Sequence, residues 1–309
     1  MAANKVVSKV VICGVGLIGG SFALAVKRHF AALAEKSALA GRRQSVQVVG
    51  MGRTRAPLEQ ALQLGVIDAI GDDWASALAG ADLVLLGMPV GQMAPVMAAI
   101  APHLEPQTLV TDGGSTKADV VAAARAAFGA KIGQFVPGHP IAGAEKSGVT
   151  AARDDLYLGK RVVLTPLTEN APPAVAAVRA AWEVCGAKVS ELAPEQHDRV
   201  FAAVSHLPHL LAFALVHDLA LRDNADQLFG FAASGFRDFT RIASSHPEMW
   251  RDICVANRHA LLKELDAYMA ELIRTRVLLA GADSAGLETM FAAARTRRDA
   301  WLDSLENKS

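Results

Sequence analysis

The chain has 309 residues, 52% hydrophobic and 20% charged, with 31 basic side chains balancing 31 acidic ones. That length accommodates two domains of roughly 100–200 residues each, and the charge balance offers no electrostatic pull toward nucleic acid or an anionic membrane. Cys13, Cys185 and Cys254 lack metal-ligand spacing and read as buried free thiols of a reducing compartment. With no leader-like segment and no run approaching the ~18 apolar residues of a span, the expectation is a soluble, cytoplasmic protein.

From the N-terminus, near-continuous apolar runs at 10–13, 47–50, 83–86, 109–111 and 135–136 read as strands buried on both faces. Alanine-rich stretches at 19–39, 56–64, 90–101 and 117–128 read as the helices between them. Such alternation predicts an α/β fold on a parallel, doubly wound sheet. A strand at 160–165, a helix opening at Pro172-Pro173 and a last strand at 188–192 complete this part. After Pro194 strand signals all but vanish and helical spacing takes over. Residues 251–279 put Ile253, Leu261, Leu265, Tyr268, Leu272 and Ile273 on one broad face. The expected organisation is a Rossmann-like dinucleotide-binding domain, 1–193, followed by an all-α domain, 194–309. The apolar surface of the second exceeds what so small a domain covers, which predicts a second copy of the chain as its partner.

The first strand runs into Gly14-Val15-Gly16-Leu17-Ile18-Gly19, a G-x-G-x-x-G that opens a helix. Gly14 permits the tight turn, Gly16 lets a pyrophosphate approach the backbone, and Gly19 lets helix and strand pack closely. The phosphates would sit on the helix N-terminus, over the N–H groups from Leu17 and Ile18 onward. At the end of the second strand an NAD enzyme carries a carboxylate for the ribose 2′-hydroxyl. Here the strand ends in Gly52-Arg53-Thr54-Arg55, with no acid. A small Gly52 leaves room for a 2′-phosphate, and Arg53, Thr54 and Arg55 offer donors for it, so NADP is the expected cofactor ahead of NAD. Gly14 to Gly52 spans 38 positions, and residues 35–45 read as an insertion with a basic Gly41-Arg42-Arg43 turn.

Five segments then align with one family: residues 13–21, TDGGSTK at 111–117, GHPIAGAE at 138–145, HDRVFAAVSHLPH at 197–209, and GFRDFTRIASSHPEMW at 235–250. Together they closely resemble the prephenate/arogenate (cyclohexadienyl) dehydrogenases of tyrosine biosynthesis, over essentially the whole chain. The resemblance implies a nucleotide-binding domain, a helical dimerisation domain and an active site in the cleft between them. It implies oxidative decarboxylation of prephenate, arogenate or both.

Such chemistry needs a base for a ring hydroxyl, and an imidazole near neutral pH suits it. His139, in a Gly-His-Pro turn, is the candidate, and the resemblance gives it that role. Ser115 precedes a helix as a candidate N-cap; the resemblance adds contact with nicotinamide and orientation of the histidine. Lys117 is either an electrostatic aid or a solvated lysine. Arg241, flanked by apolar residues, needs an anion, which the resemblance identifies as a substrate carboxylate. Arg237 is one helical turn away. Pro208 should kink its helix at the carbonyl of Val204, aiming His209 and Ser205 at the substrate, while His206 reads as structural. The resemblance sets Glu145 at the mouth of the site and Trp250 in the site from a partner subunit; a core aromatic is an equal reading for Trp250. The H-x-x-H of His206 and His209 has no further ligands, so no metal is expected.

Two other readings compete. A β-hydroxyacid dehydrogenase would carry a lysine base in a glycine-rich helical segment, and none lies between 160 and 195. A non-catalytic dinucleotide sensor gives no reason for His139, His209 and Arg241 to occur together.

Overall fold

The computed structural model describes residues 7–38, 45–144 and 146–306. Glu145 and the expected Gly41-Arg42-Arg43 turn lie outside them. Strands β1 (Lys9–Cys13), β2 (Gln47–Met51), β3 (Ala69–Ile70), β4 (Leu83–Leu86) and β5 (Leu109–Asp112) form one sheet in the order β3-β2-β1-β4-β5, all parallel. Helices α1 (Leu17–Ala38), α2 (Arg55–Gln63), α3 (Trp74–Leu78), α4 (Met93–Ile100) and α5 (Ala118–Phe128) connect them. Side-chain alternation along each strand divides the core between the two faces. Val10, Ile12, Val48 and Leu85 join Phe22 of α1 on one face, and Val11, Cys13, Val49 and Leu86 join Met93, Met97 and Phe128 on the other. This is the doubly wound arrangement expected from the sequence. Its strand order reverses between β1 and β4, where a crevice opens beyond the strand ends.

A second sheet differs from the expectation of a strand at 135–136. Those residues make one parallel bridge to Val110. The strand proper is β6 (Gly138–Pro140), antiparallel to β7 (Arg161–Leu164), which in turn pairs in parallel with β8 (Lys188–Glu191). The chain leaves β5 because the Gly138 N–H bonds the Asp112 carboxylate, 2.9 Å away, and not a strand carbonyl. Helix α6 (Pro172–Val184) packs Trp182 edge-on to Phe22 and Tyr157. Cys13 and Cys185 are buried free thiols as expected, whereas Cys254 is only half-buried.

From Pro194 the described elements are helical: α7 (Pro194–Phe201), a π-helical turn (Ala202–His206), α8 (Leu207–Ala220), α9 (Ala225–Gly230), α10 (Ser234–Thr240), a 3-10 turn (Arg241–Ser244), α11 (Pro247–Ala256), α12 (Arg258–Ala280) and α13 (Ser284–Glu306). The described residues cluster into two compact units, divided between Arg258 and His259. The change of character at Pro194 falls inside the first, where α7 packs on α5. The expected run at 251–279 is two helices, because Asn257 leaves helical geometry to bond the Asp198 carbonyl and the His206 ring. The path Pro194–Ala220 is 27 residues long and contains an 18-residue window of mean hydropathy 1.6. By length and composition it could cross a membrane, although Ser205, His206, Pro208 and His209 interrupt its apolar residues. Its buried residues include His197, Asp198 and His206, and all three have hydrogen-bond partners within the protein.

One buried ion pair fixes the junction between the sheets. Lys117 and Asp112 are both 0% exposed and in direct contact. The ammonium also donates to the Gly138 carbonyl at 2.9 Å, and the carboxylate accepts from Gly114 N–H at 2.8 Å. Removing one partner strands the other's charge in the core, so Lys117→Met should cost about 3–5 kcal/mol of stability. Adding Asp112→Asn should recover part of it. Thermal unfolding of the single and double variants tests this, and an unchanged midpoint for Lys117→Met would refute the pair's structural role.

Candidate active site

The glycine loop lies at the crevice. Gly14 has φ +90°, and a Cβ there would stand 2.9 Å from the Met88 nitrogen at the end of β4. A Cβ on Gly19 would meet the Gly14 carbonyl at 2.3 Å, so helix and loop touch. A Cβ on Gly16 would meet nothing within 4 Å, so open space faces that residue at the N-terminus of α1. The first turn of α1 is steadied by the Tyr157 hydroxyl, which donates to the Ile18 carbonyl at 2.6 Å. A turn without side-chain bulk, a helix N-terminus and open space together fit a dinucleotide pyrophosphate.

At the end of β2, Arg53, Thr54 and Arg55 are exposed and Thr54 is the N-cap residue of α2. Arg55 is engaged with Glu59 at 3.0 Å and Asp72 at 3.5 Å. Among the described residues Arg53 forms no ion pair, so of the two arginines it is the one open to an added anion. A Cβ on Gly52 would sit 3.5 Å from the Leu58 side chain, in ordinary contact.

Gly113 joins this loop to the histidine. A Cβ on it would lie 2.9 Å from Ile18 Cγ2 and 3.7 Å from Pro140, so the cofactor helix and β6 meet there. His139 is the middle residue of β6 and the only one of its three not fully buried. Its Nδ1 lies 2.8 Å from Nε2 of His197, whose own Nδ1 lies 2.8 Å from Asp198 Oδ1. Phe201 packs against both rings, at centroid distances of 4.9 and 4.4 Å. Burial first, then the charges of His197, Lys117 and His206, push His139 well below the usual histidine range. Burial likewise lowers His197 against the opposing bond to Asp198. Burial alone would raise the Asp198 carboxyl, but bonds from His197, Ala118 and Lys117 outweigh it and hold it low.

Ser115 is partly exposed in the loop before α5, with His206 near its backbone. The N-cap expected of it is supplied differently. Helix α5 begins three residues later, and the Asp198 carboxylate accepts from Lys117 and Ala118 N–H, each at 2.8 Å. The nitrogen of His139 that makes a bond makes it to His197. The π-helical turn 202–206 precedes Pro208, which has no N–H to donate back to Val204; the expected kink takes this form. His209 Nδ1 is 2.8 Å from the Ser205 carbonyl, and its ring stacks on Trp250 with centroids 3.6 Å apart. Burial, aided by the Arg241 charge, lowers its pKa. Trp250 is thus a largely buried partner of His209 in its own chain. Arg241 opens the 3-10 turn after α10, one turn beyond Arg237, which is exposed beside Asp238 at 3.6 Å. His206 is buried, pushed down to about 4 by burial, and bonded to Asn257. Sequence reasoning missed His197, Asp198 and Asn257 as members of the site. The pairs they form span 58, 81 and 59 positions, and the only local signal is a His-Asp dipeptide in the first turn of a helix.

A glycine-loop dinucleotide fold with a neutral, oriented histidine at the crevice is that of a nicotinamide-dependent dehydrogenase. Comparison with known proteins narrows the class. Residues 37–191 match the family described as prephenate dehydrogenase, nucleotide-binding domain, and residues 193–293 its dimerization domain. The chain is 36% identical over 298 residues to a prephenate dehydrogenase of Bacillus subtilis, covering 96% of this chain and 76% of that protein. It is 34% identical over 276 residues to a cyclohexadienyl dehydrogenase of Zymomonas mobilis, covering 89% of each. Its fold is similar, with TM-score 0.84 and 34% identity, to the crystal structure of Aquifex aeolicus prephenate dehydrogenase in complex with hydroxyphenyl propionate and NAD+; 94% of this chain and 98% of that one are covered. The chain belongs to the prephenate dehydrogenase family, and is therefore an NAD(P)-dependent oxidoreductase acting by oxidative decarboxylation.

The loop geometry separates two glycines. Gly19→Ala should lower both thermal stability and cofactor affinity, because its Cβ collides with backbone. Gly16→Ala should leave the unfolding midpoint in place while weakening cofactor on the order of tenfold or more, a loss of about 1.4 kcal/mol. Calorimetric titration beside thermal melts checks the pair, and unimpaired binding by Gly16→Ala would contradict the assigned approach of the pyrophosphate.

Proposed function

We propose that this chain converts prephenate, arogenate or both to 4-hydroxyphenylpyruvate or tyrosine, as a cytoplasmic homodimer, with His139 as general base. The observation that carries this reading is the His139 ring, bonded through Nδ1 to His197 and pushed toward its neutral form by burial, beside the junction of cofactor loop and β6. A bound nicotinamide would supply the hydride acceptor. Held by Gly14, Gly16, Gly19 and the N–H groups of Leu17 and Ile18, its dinucleotide places no demand on the protein beyond orientation. His139 takes the ring hydroxyl proton as the ring carbon loses hydride. The ring carboxylate leaves as carbon dioxide, its bonding pair entering the ring, and the proton returns to the phenolic oxygen. Aromatisation drives the reaction, so the protein's part is to position, deprotonate and neutralise.

In this reading Arg241, assisted by Arg237, receives a substrate carboxylate, Glu145 belongs to the mouth, and His209, Ser205 and Trp250 hold the rest of the substrate. Ser115 faces nicotinamide. The functional boundary lies near 193/194, and dimerisation uses the helical part, where Leu221, Phe231 and Ile273 are more than half exposed. Turnover of prephenate or arogenate with either cofactor, followed by nicotinamide absorbance, tests the activity, and no turnover in any combination would overturn it. His139→Asn should lower kcat by about 10²–10⁴-fold while cofactor still binds. The base must be neutral to work. Because its pKa is depressed, kcat/KM should hold through neutrality and fall only as pH drops through a value below the ordinary histidine range.

For the cofactor we propose a preference for NADP+, held at the 2′-phosphate by Arg53 with Thr54 and the N-terminus of α2; Arg55 is the lesser contributor because Glu59 and Asp72 already hold it. A Cβ at Gly52 makes only ordinary contact with Leu58, and Gly52→Asp restores the carboxylate of NAD enzymes. It should shift the kcat/KM ratio toward NAD+ by on the order of tenfold or more. An unchanged ratio would place ribose recognition elsewhere.

A further inference from the structure

The hydrogen bonds around Asp198 admit one arrangement of protons. Asp198 is ionised and can only accept, so His197 must carry its proton on Nδ1. His197 is neutral, which leaves Nε2 as a lone pair, so the 2.8 Å contact requires His139 to donate from Nδ1. A neutral His139 then has its lone pair on Nε2, the other edge of the ring. That nitrogen is the one a base needs.

Asp198 cannot swing away to release this order. Its two oxygens accept from the N–H groups of Lys117 and Ala118, at the positive end of the α5 dipole. Its own backbone carbonyl accepts from Asn257 at 2.8 Å. His197 is 0% exposed and packed against Phe201, so water does not replace either of its partners. Nothing in the reaction of an isolated imidazole chooses between its two tautomers strongly enough to serve here; the arrangement around it must choose.

We propose that His197 is a positioning residue, held by Asp198, that fixes the productive tautomer of His139 and steadies the cation formed when His139 takes the substrate proton. This rests on the reading of His139 as the base. The substrate O–H bond breaks as an H–Nε2 bond forms on His139, while the protons on the two Nδ1 atoms stay in place. The new positive charge then faces a neutral acceptor backed by a carboxylate, an arrangement of the kind that stabilises an imidazolium without transferring its proton. Lys117 approaches from the start of α5 but is paired with Asp112, and His206 faces from the π-helical turn and is neutral at ordinary pH.

Two variants and one spectrum test this. His197→Phe keeps an aromatic ring beside Phe201 and removes the acceptor. It should lower kcat on the order of 10²-fold, leave KM for substrate and cofactor within about twofold, and move the acid limb of kcat/KM to lower pH. His197→Gln presents an acceptor and a donor in the same order and should restore most of the loss. Equal damage from both variants, or an unmoved acid limb in His197→Phe, would overturn the proposal. In the wild-type protein with 15N-labelled histidine, nitrogen shifts should show His139 protonated on Nδ1 with Nε2 bare; the opposite tautomer would overturn it without any variant needing to fold. Should His139→Asn retain turnover, the base assignment fails on its own, since the spectrum reports the hydrogen-bond order independently of activity.

Discussion

Asp198 uses both carboxylate oxygens and its carbonyl at once: on α5, on His197 and on Asn257. A buried anion of this kind is tolerable only where donors surround it, and the donors here come from three separate stretches of chain. The consequence is that the start of α5, the start of α7 and the end of α11 have one common position. The position of the His139 ring is a by-product of that constraint, because His197, held by the carboxylate, is the ring that His139 Nδ1 meets.

The second buried charge, Asp112 with Lys117, does a different job one turn away. Asp112 ends β5 and takes the N–H groups of Gly114 and Gly138, while Lys117 reaches the Gly138 carbonyl. Together they turn the chain out of the parallel sheet and deliver it as β6, with Gly138 and Pro140 inward and His139 toward the site. A buried pair of this kind contributes little net stability compared with an apolar substitute. Its value here is geometric: it specifies where the histidine strand departs from the dinucleotide fold.

The cofactor side is simpler because backbone does the work. Gly14, Gly19 and Gly113 are sites of close approach, where Cβ atoms would stand 2.9, 2.3 and 2.9 Å from their neighbours. Steric permission accounts for these positions without any polar network. At the end of β2 the ion pairs of Arg55 distinguish it from Arg53 although both stand in the same tetrapeptide.

The strands β1, β2, β4 and β5, the glycine loop and the helical character after Pro194 were legible in the sequence, since each rests on local pattern: continuous apolar runs, glycine spacing, a period near 3.6. His139, His209 and Arg241 were readable as candidates through the family resemblance of their local motifs, and the structure brings the Arg241 charge to bear on His209. The departure of β6 into its own sheet was not legible, because it depends on Asp112 reaching a peptide group 26 positions away. Nor was the break at Asn257, the cap of α5 by a residue from α7, or the contact between His139 and His197. Each of these is a hydrogen bond between groups distant in the chain and hidden from water. A linear sequence names the donors and acceptors, but only the packed structure decides which of them meet.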